Sequence, residues 1–212
     1  MVANVIGVIL PVKPAEAIVQ HALYIETFVQ AIQLGFYTWF KQHIVDSPAA
    51  ITPIRYYDWV ITTPLMLFTT VLFYAYNTQT EEEKKEDPLT LEEFIQQNKG
   101  AIATMFAFNL AMLAFGYLGE RGVMGLASST FFGFLALVGS FFTMWGFVGD
   151  NSQNRLLYGF MLFVWSLYGV AAMFTPVWKN VSYNILDVFS KNFYGIFLAY
   201  YLYQVGRPTN MS

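Results

Sequence analysis

The chain has 212 residues, of which 56% are hydrophobic, 19% aromatic and only 12% charged, a balance far more apolar than that of a water-soluble domain. This is the composition of an integral membrane protein. Cysteine is absent, which excludes disulfides, thiolate metal sites and cysteine nucleophiles; His21 and His43 are too far apart for a metal pair, and a net charge of −3 argues against nucleic acid.

The first apolar stretch, Val2 to Val12, is interrupted by Pro11 and followed by Pro14, and is too short for ~30 Å of hydrocarbon. Residues 1–15 therefore read as a short N-terminal segment, with neither a basic leader nor a clear cleavage site. Glu16 to His43 is the first full span and carries Glu26 within it. Asp46-Ser47-Pro48 forms a turn, because proline presets the backbone and the preceding side chains bond it locally. Ala50 to Asn77 is the next span, with Arg55 and Asp58 near its start.

Residues 78–99 are of another kind. Glu81-Glu82-Glu83-Lys84-Lys85-Glu86-Asp87 is followed by Pro88 and by Leu91-Glu92-Glu93-Phe94-Ile95, which reads as a solvated loop ending in a short amphipathic helix. Four apolar spans follow, Gly100–Leu118, Met124–Val148, Leu156–Trp178 and Val181–Val205, separated by short turns at Glu120-Arg121-Gly122, Gly149–Ser152 and Lys179-Asn180. Helices joined so closely are antiparallel neighbours. The apolar runs are continuous rather than alternating, which excludes a β-barrel. The fold class is an all-α membrane helix bundle with six full spans and a first helix that is short or missing. With loop 78–99 in the cytoplasm, that side receives Lys13, Lys84, Lys85, Lys99, Arg155 and Arg207, against Lys41, Arg121 and Lys179 outside; this places the C-terminus in the cytoplasm.

The final span holds Asp187 and Lys191 four residues apart, on one face of a helix. Charges inside a membrane span cost at least ~2.5–3.5 kcal/mol each on insertion scales and are usually paired and functional. Two readings stay open from these residues alone. The pair is an intramembrane ion pair with no chemistry, or the desolvated lysine condenses with a carbonyl to form a Schiff base.

Four segments carry a resemblance. Arg55-Tyr56-Tyr57-Asp58-Trp59-Val60-Ile61-Thr62-Thr63-Pro64-Leu65 resembles the third helix of microbial rhodopsins, and the Asp187 to Lys191 segment resembles their seventh. Phe115-Gly116-Tyr117-Leu118-Gly119-Glu120 is similar to the fourth helix of proteorhodopsins, and Trp165-Ser166-Leu167-Tyr168 to the sixth. The matches fall in family order within residues 18–205. The chain is thus identified as a member of the seven-helix microbial rhodopsins, proteorhodopsin-like, and its shortened form with a charged loop resembles rhodopsins of large algal viruses.

The resemblance implies one retinal-binding transmembrane domain over 1–212, not an enzyme, with all-trans retinal bound covalently to Lys191 as a protonated Schiff base. Asp58 and Asp187 would be the counterions and Arg55 the extracellular cation; Trp59, Thr63, Met66, Met112, Gly116, Trp165 and Tyr168 would form the pocket. Met66, eight residues after Asp58, occupies the colour-tuning position, and an apolar side chain there implies green absorption. Thr62 lies one turn from Asp58, where its hydroxyl is expected to bond the carboxylate. Membrane lipid, translocated protons or cations, and a homo-oligomer, trimer or pentamer, are the implied partners.

Departures from the family pattern bear on function. Thr69 stands eleven residues after Asp58, where proton-pumping relatives carry a carboxylic donor; Gly169 replaces a proline, Ala172 replaces an aromatic pocket residue, and no histidine matches the proteorhodopsin counterion partner. At ~1.5 Å per residue Glu26 lies ~14 Å below the cytoplasmic edge and Thr69 ~12 Å, nearly one level. Glu26 is then a substitute donor, a lining residue of an ion path as glutamates of this helix are in channelrhodopsins, or a protonated acid bonded to a neighbouring helix. The leading expectation is a light-driven outward proton pump with Asp58 as acceptor; the alternatives are a light-gated cation channel or a photosensor. Sodium pumping is disfavoured, because Asp58, Thr62 and Thr69 stand where sodium-pumping relatives have Asn, Asp and Gln.

Overall fold

The structure of the protein, a computed structural model, describes residues 12–43 and 48–205. Most of segment 1–15, the turn residues Asp46 and Ser47, and Arg207 lie outside the described residues. Those described form helices joined by short turns, with no strand among them. Helix α1, Ala17–His43, follows a 3-10 turn at Pro14–Glu16, where Pro14 occupies a position whose N–H a helix would leave unpaired. Helix α2, Pro48–Ile51, leads through a second 3-10 turn, Thr52–Ile54, into α3, Arg55–Thr78. Pro64 lies inside α3, and the Thr62 and Thr63 hydroxyls beside it donate to the Asp58 and Trp59 carbonyls at 2.9 and 2.8 Å.

The charged stretch is more ordered than a solvated loop. Helix α4, Glu81–Glu86, and helix α5, Leu91–Glu120, each begin with a complete capping box, Thr80 with Glu83 and Thr90 with Glu93. The side-chain oxygen of each threonine accepts from the backbone three residues on while the glutamate reaches back to the threonine N–H, which starts a helix at that point. Nothing between Leu91 and Gly100 stops α5, so the amphipathic piece and the apolar span are one helix of 30 residues. At ~1.5 Å per residue it is ~45 Å long, and its first turns stand beyond ~30 Å of hydrocarbon. Phe94 anchors this extension, buried with ring centroids 6.3 Å from Phe68 and 5.8 Å from Phe147.

Helix α6, Leu126–Trp145, packs extensively along α5, and the turn between them passes through Gly122 at φ +69°. Helix α7, Ser152–Ala172, is capped by Asn151, whose side chain accepts from the Gln153 and Asn154 amides. The next boundary differs from the sequence expectation. Span 156–178 ends at Ala172, and α8, Pro176–Asp187, starts at a proline, so Lys179 and Asn180 are helical and buried rather than turn residues. The last span is not a plain α-helix either. Val188–Phe193 forms a π turn between α8 and α9, Tyr194–Val205.

The described residues thus form an all-α bundle of six membrane-length runs, in which α1 lies along α3 and α9 against α1. Thr52–Thr78, α5, α6 and α7 are each long and apolar enough to cross a membrane. Large apolar side chains such as Phe131, Leu135, Val138 and Phe142 of α6 face outward one helical turn apart, the arrangement for lipid. At the end of the bundle near α4, Asn77 donates to Asn154 (2.9 Å) and accepts from the Tyr201 hydroxyl (2.7 Å), while Asn154 donates to the Tyr74 and Val148 carbonyls at 3.1 and 2.9 Å. Asn151 adds a bond to the Asn77 carbonyl at 3.1 Å.

Removing the α5 cap with Thr90→Ala is expected to cost about 1 kcal/mol, raising local opening about fivefold. Hydrogen exchange of the amides at 91–94 checks it, and unchanged protection there would contradict the role given to the capping box.

Candidate functional site

Lys191 sits in the π turn, where the widened winding interrupts the regular helix; such turns occur often at functional sites. Its amine is 2.6 Å from Asp58 Oδ2 on α3 and 3.7 Å from Asp187 Oδ1 on α8, and all three side chains are buried. Arg55, one turn before Asp58, completes the charge balance with Nη1 3.7 Å from Asp187 Oδ2. Two cations face two carboxylates in a medium that penalises any unmatched charge. The guanidinium is also held by neutral groups: Nε donates to Asn180 Oδ1 (2.9 Å), Nη2 to the Asn184 side chain, Nη1 to the Tyr37 hydroxyl (3.4 Å), and the Phe40 ring lies 4.6 Å from it.

The two carboxylates are not equivalent. Asp187 accepts from the Tyr37 hydroxyl at 2.6 Å and from the Tyr168 hydroxyl at 2.7 Å, and Tyr168 is in turn 2.9 Å from Ser190. Asp58 has the lysine alone, and its Oδ1 has no hydrogen-bond partner among the described residues. The expected bond from Thr62 to the Asp58 carboxylate is not formed. The Thr62 hydroxyl turns instead to the Asp58 backbone carbonyl at 2.9 Å, the usual choice of a threonine inside a helix.

Lys191, Asp187 and Ser190 are among the residues lining a cavity of about 110 Å³, several times the ~10–15 Å³ that one water needs. Trp59, Trp165 and Tyr168 wall it, Met66, Met112, Thr63 and Gly116 line it, and it extends past Gly169 and Ala172 to Ser129, Thr130 and Glu120. Glycine is needed at two of these places. A methyl on Gly116 would lie 2.5 Å from the Tyr56 hydroxyl, and one on Gly169 2.5 Å from the Phe134 ring. An elongated, largely apolar ligand with a carbonyl at the lysine end fits this lining, and aromatic faces suit a conjugated chain.

Some participants carry no mark in the sequence. Thr63 Oγ1 lies 2.9 Å from Asn109 Oδ1 on α5, a fully buried amide whose only hint is a polar residue in an apolar run. Lys179 pairs with Glu120 at 2.7 Å, tying α8 to the end of α5 beside the cavity, and Tyr37 joins α1 to the counterion cluster. Glu26 lies apart from that cluster. It is fully buried, its Oε1 accepts from the Thr69 hydroxyl at 2.5 Å, and its Oε2 has no partner among the described residues. Among the described residues no three histidine or carboxylate side chains gather as metal ligands.

Comparison with known proteins agrees in fold and in sequence. The family model described as bacteriorhodopsin-like protein matches residues 1–205. A green-light absorbing proteorhodopsin of Gamma-proteobacterium EBAC31A08 is 24% identical over 199 residues, covering 84% of this chain and 72% of its own length. A second green-light absorbing proteorhodopsin, from an unknown prokaryotic organism, is also 24% identical and is covered over 71% of its length. The crystal structure of the viral rhodopsin OLPVRII superposes with a TM-score of 0.81 at 29% identity, covering 96% of this chain and 90% of that one. The chain belongs to the bacteriorhodopsin-like family, the microbial rhodopsins.

Proposed function

We propose that the chain is a light-driven outward proton pump, one retinal-binding domain over 1–212 with segment 78–99 and the C-terminus in the cytoplasm, and that Asp58 is the acceptor of the Lys191 proton. The inequality of the two carboxylates carries this reading: Asp187 is saturated by two tyrosine hydroxyls, while Asp58 has a free oxygen and stands 2.6 Å from the amine. When bound as an imine on the Lys191 nitrogen, all-trans retinal supplies light absorption and an isomerisation that displaces that nitrogen's proton.

This chain's residues do the rest. Trp59, Trp165 and Tyr168 restrict the cavity to a flat chain, Met66 leaves its lining apolar beside α3, and green absorption follows from that lack of a dipole. Asp58 takes the proton at a carboxylate oxygen, while both oxygens of Asp187 are engaged by tyrosine hydroxyls and Arg55 stands beside it. Arg55 sits between the cluster and Asn180 and Asn184, the side from which a proton would leave. Thr69 offers no carboxyl for the return step. Glu26, bonded to Thr69, supplies one, and we assign it as the internal source of the proton that restores the Lys191 nitrogen. Assembly into a trimer or pentamer in lipid belongs to the same reading.

A second reading, a light-gated cation channel, is favoured by one observation, the buried carboxyl of Glu26 on α1 away from the counterion cluster. Light-induced current under voltage clamp decides: a pump current keeps its sign through zero driving force, whereas a channel current reverses.

Lys191→Ala is expected to abolish the visible band that forms when all-trans retinal is added to the expressed protein; a surviving band would remove the attachment site. Asp58→Asn is expected to move that band to longer wavelength, because the positive nitrogen loses a charge partner, and to lower the pump current at least ~100-fold, because an amide cannot take up the proton. Retention of the current would transfer the acceptor role elsewhere. Thr69→Asp is expected to shorten the return step and make its rate less sensitive to bulk pH; flash photolysis across pH reads both.

A further inference from the structure

One threonine of the cavity departs from the rule that the other threonines within the described helices follow. Those side chains donate their hydroxyl to a carbonyl three or four residues back, as Thr63, Thr104 and Thr143 do at 2.8, 2.9 and 2.9 Å. Thr27, Thr38, Thr62, Thr69, Thr70 and Thr78 do the same. Such back-bonding satisfies a hydroxyl inside an apolar helix. Thr130, in the second turn of α6, has no hydrogen-bond partner among the described residues. The carbonyl four residues before it belongs to Leu126, and the Ser129 hydroxyl has taken that oxygen at 2.9 Å, while the Thr130 amide bonds it in the regular helical ladder. A carbonyl oxygen has two lone pairs, and both are then used. The Thr130 hydroxyl is left over, and Thr130 lines the cavity.

Its place is the end of the cavity away from Lys191. The π turn packs on α1, α7, α8 and α9, whereas α6 packs on α5 and α7. On α5 the matching level is Gly119 and Glu120, because a methyl on Gly119 would overlap the Ser129 hydroxyl. Glu120 lines the same cavity, and its side chain, 10% exposed, gives Oε1 to Lys179 at 2.7 Å. Lys179 and Lys191 lie twelve residues apart on one helical run, on the order of 18 Å along the axis. One end of the slot thus holds the lysine with its carboxylates, and the other a free hydroxyl with a carboxylate at its own level.

A hydroxyl facing an apolar slot costs free energy until a ligand atom answers it, and a hydrocarbon ring cannot. We propose that the ligand end seated against α6 carries a hydroxyl: the aldehyde this cavity prefers is an all-trans retinal hydroxylated on its ring, recognised by Thr130 with the Glu120 carboxylate as a further acceptor. The proposal rests on the reading of this cavity as the retinal site. A ring hydroxyl offers one donor and two acceptor lone pairs, so it can bond the threonine hydroxyl and still donate to a carboxylate oxygen. It takes no part in the bond to Lys191. Plain retinal enters as well, since the apolar walls and the lysine treat the two aldehydes alike, and Thr130 sets the preference between them.

The test offers the full chain, in lipid vesicles and in the dark, an equimolar mixture of all-trans retinal and all-trans 3-hydroxyretinal. After washing, hydroxylamine releases the bound aldehydes as oximes, and chromatography gives their ratio, a readout independent of transport. The hydroxylated-to-plain ratio in the parent should stand about fivefold above that in Thr130→Val, which keeps the shape and loses the hydroxyl, and Thr130→Ser should stay within about twofold of the parent. Comparing two ligands within one protein cancels the amount of folded chain, and comparing parent with variant cancels the unequal partition of the two aldehydes into lipid. Where Thr130→Val gives no folded protein, Thr130→Ala carries the same expectation. Equal ratios in the parent and Thr130→Val would overturn the proposal, as would an equal fall in Thr130→Ser and Thr130→Val, which marks a packing effect. Failure of the retinal reading looks different: the parent then binds neither aldehyde, and the proposal falls with it.

Discussion

Burying an amine among carboxylates in a medium without bulk water is the constraint on which this bundle depends. A charge there persists only with a partner, and each partner must itself be anchored. Lys191 draws in Asp58 and Asp187, Asp187 draws in Arg55, Tyr37 and Tyr168, and Arg55 draws in Asn180 and Asn184. Helices α1, α3, α7 and α8 and the π turn are thereby joined through one polar cluster. The arrangement has one incomplete carboxylate. Asp58 keeps one oxygen without a hydrogen-bond partner among the described residues, and it is this inequality on which the proposed acceptor role rests.

The cavity beside the cluster shows the opposite economy. Its walls are almost wholly apolar, and two glycines keep space that a single methyl group would take from Tyr56 and Phe134. Polar cluster and apolar slot meet only at Lys191 and its immediate neighbours. In the proposed reading a ligand joined there is held electrostatically at one end and by shape along the rest.

The parts of this arrangement that were legible in the sequence are those that break a pattern. Asp58, Asp187 and Lys191 are charges in apolar runs, and Glu26 is a carboxyl in a span, so each stands out by its cost. Neutral polar residues do not. Tyr37, Asn109, Asn180 and Gln30 cost little enough in a helix that nothing separates them from a surface position until packing shows what they face. Lys179 departs from its sequence pattern for a related reason: Lys-Asn resembles a turn, but Pro176 starts a helix, and Glu120 from another helix matches the charge. The capping boxes that order 80–93 were written in the chain as threonine and glutamate three apart, yet the density of charge around them pointed to a solvated loop. The π turn has no local signature, since it depends on how α8 and α9 are held by their neighbours.

The asparagines that close the end of the bundle near α4 have a consequence for the medium in which the protein can work. Asn77, Asn151, Asn154 and Tyr201 bind one another and the backbone without a single formal charge. Coulombic attraction between exposed ions, such as that of Arg155 and Asp150 nearby, fades as dissolved salt shortens the range of electric fields, but hydrogen bonds between neutral amides do not. The seal on that side therefore keeps the same strength in fresh water and in brine.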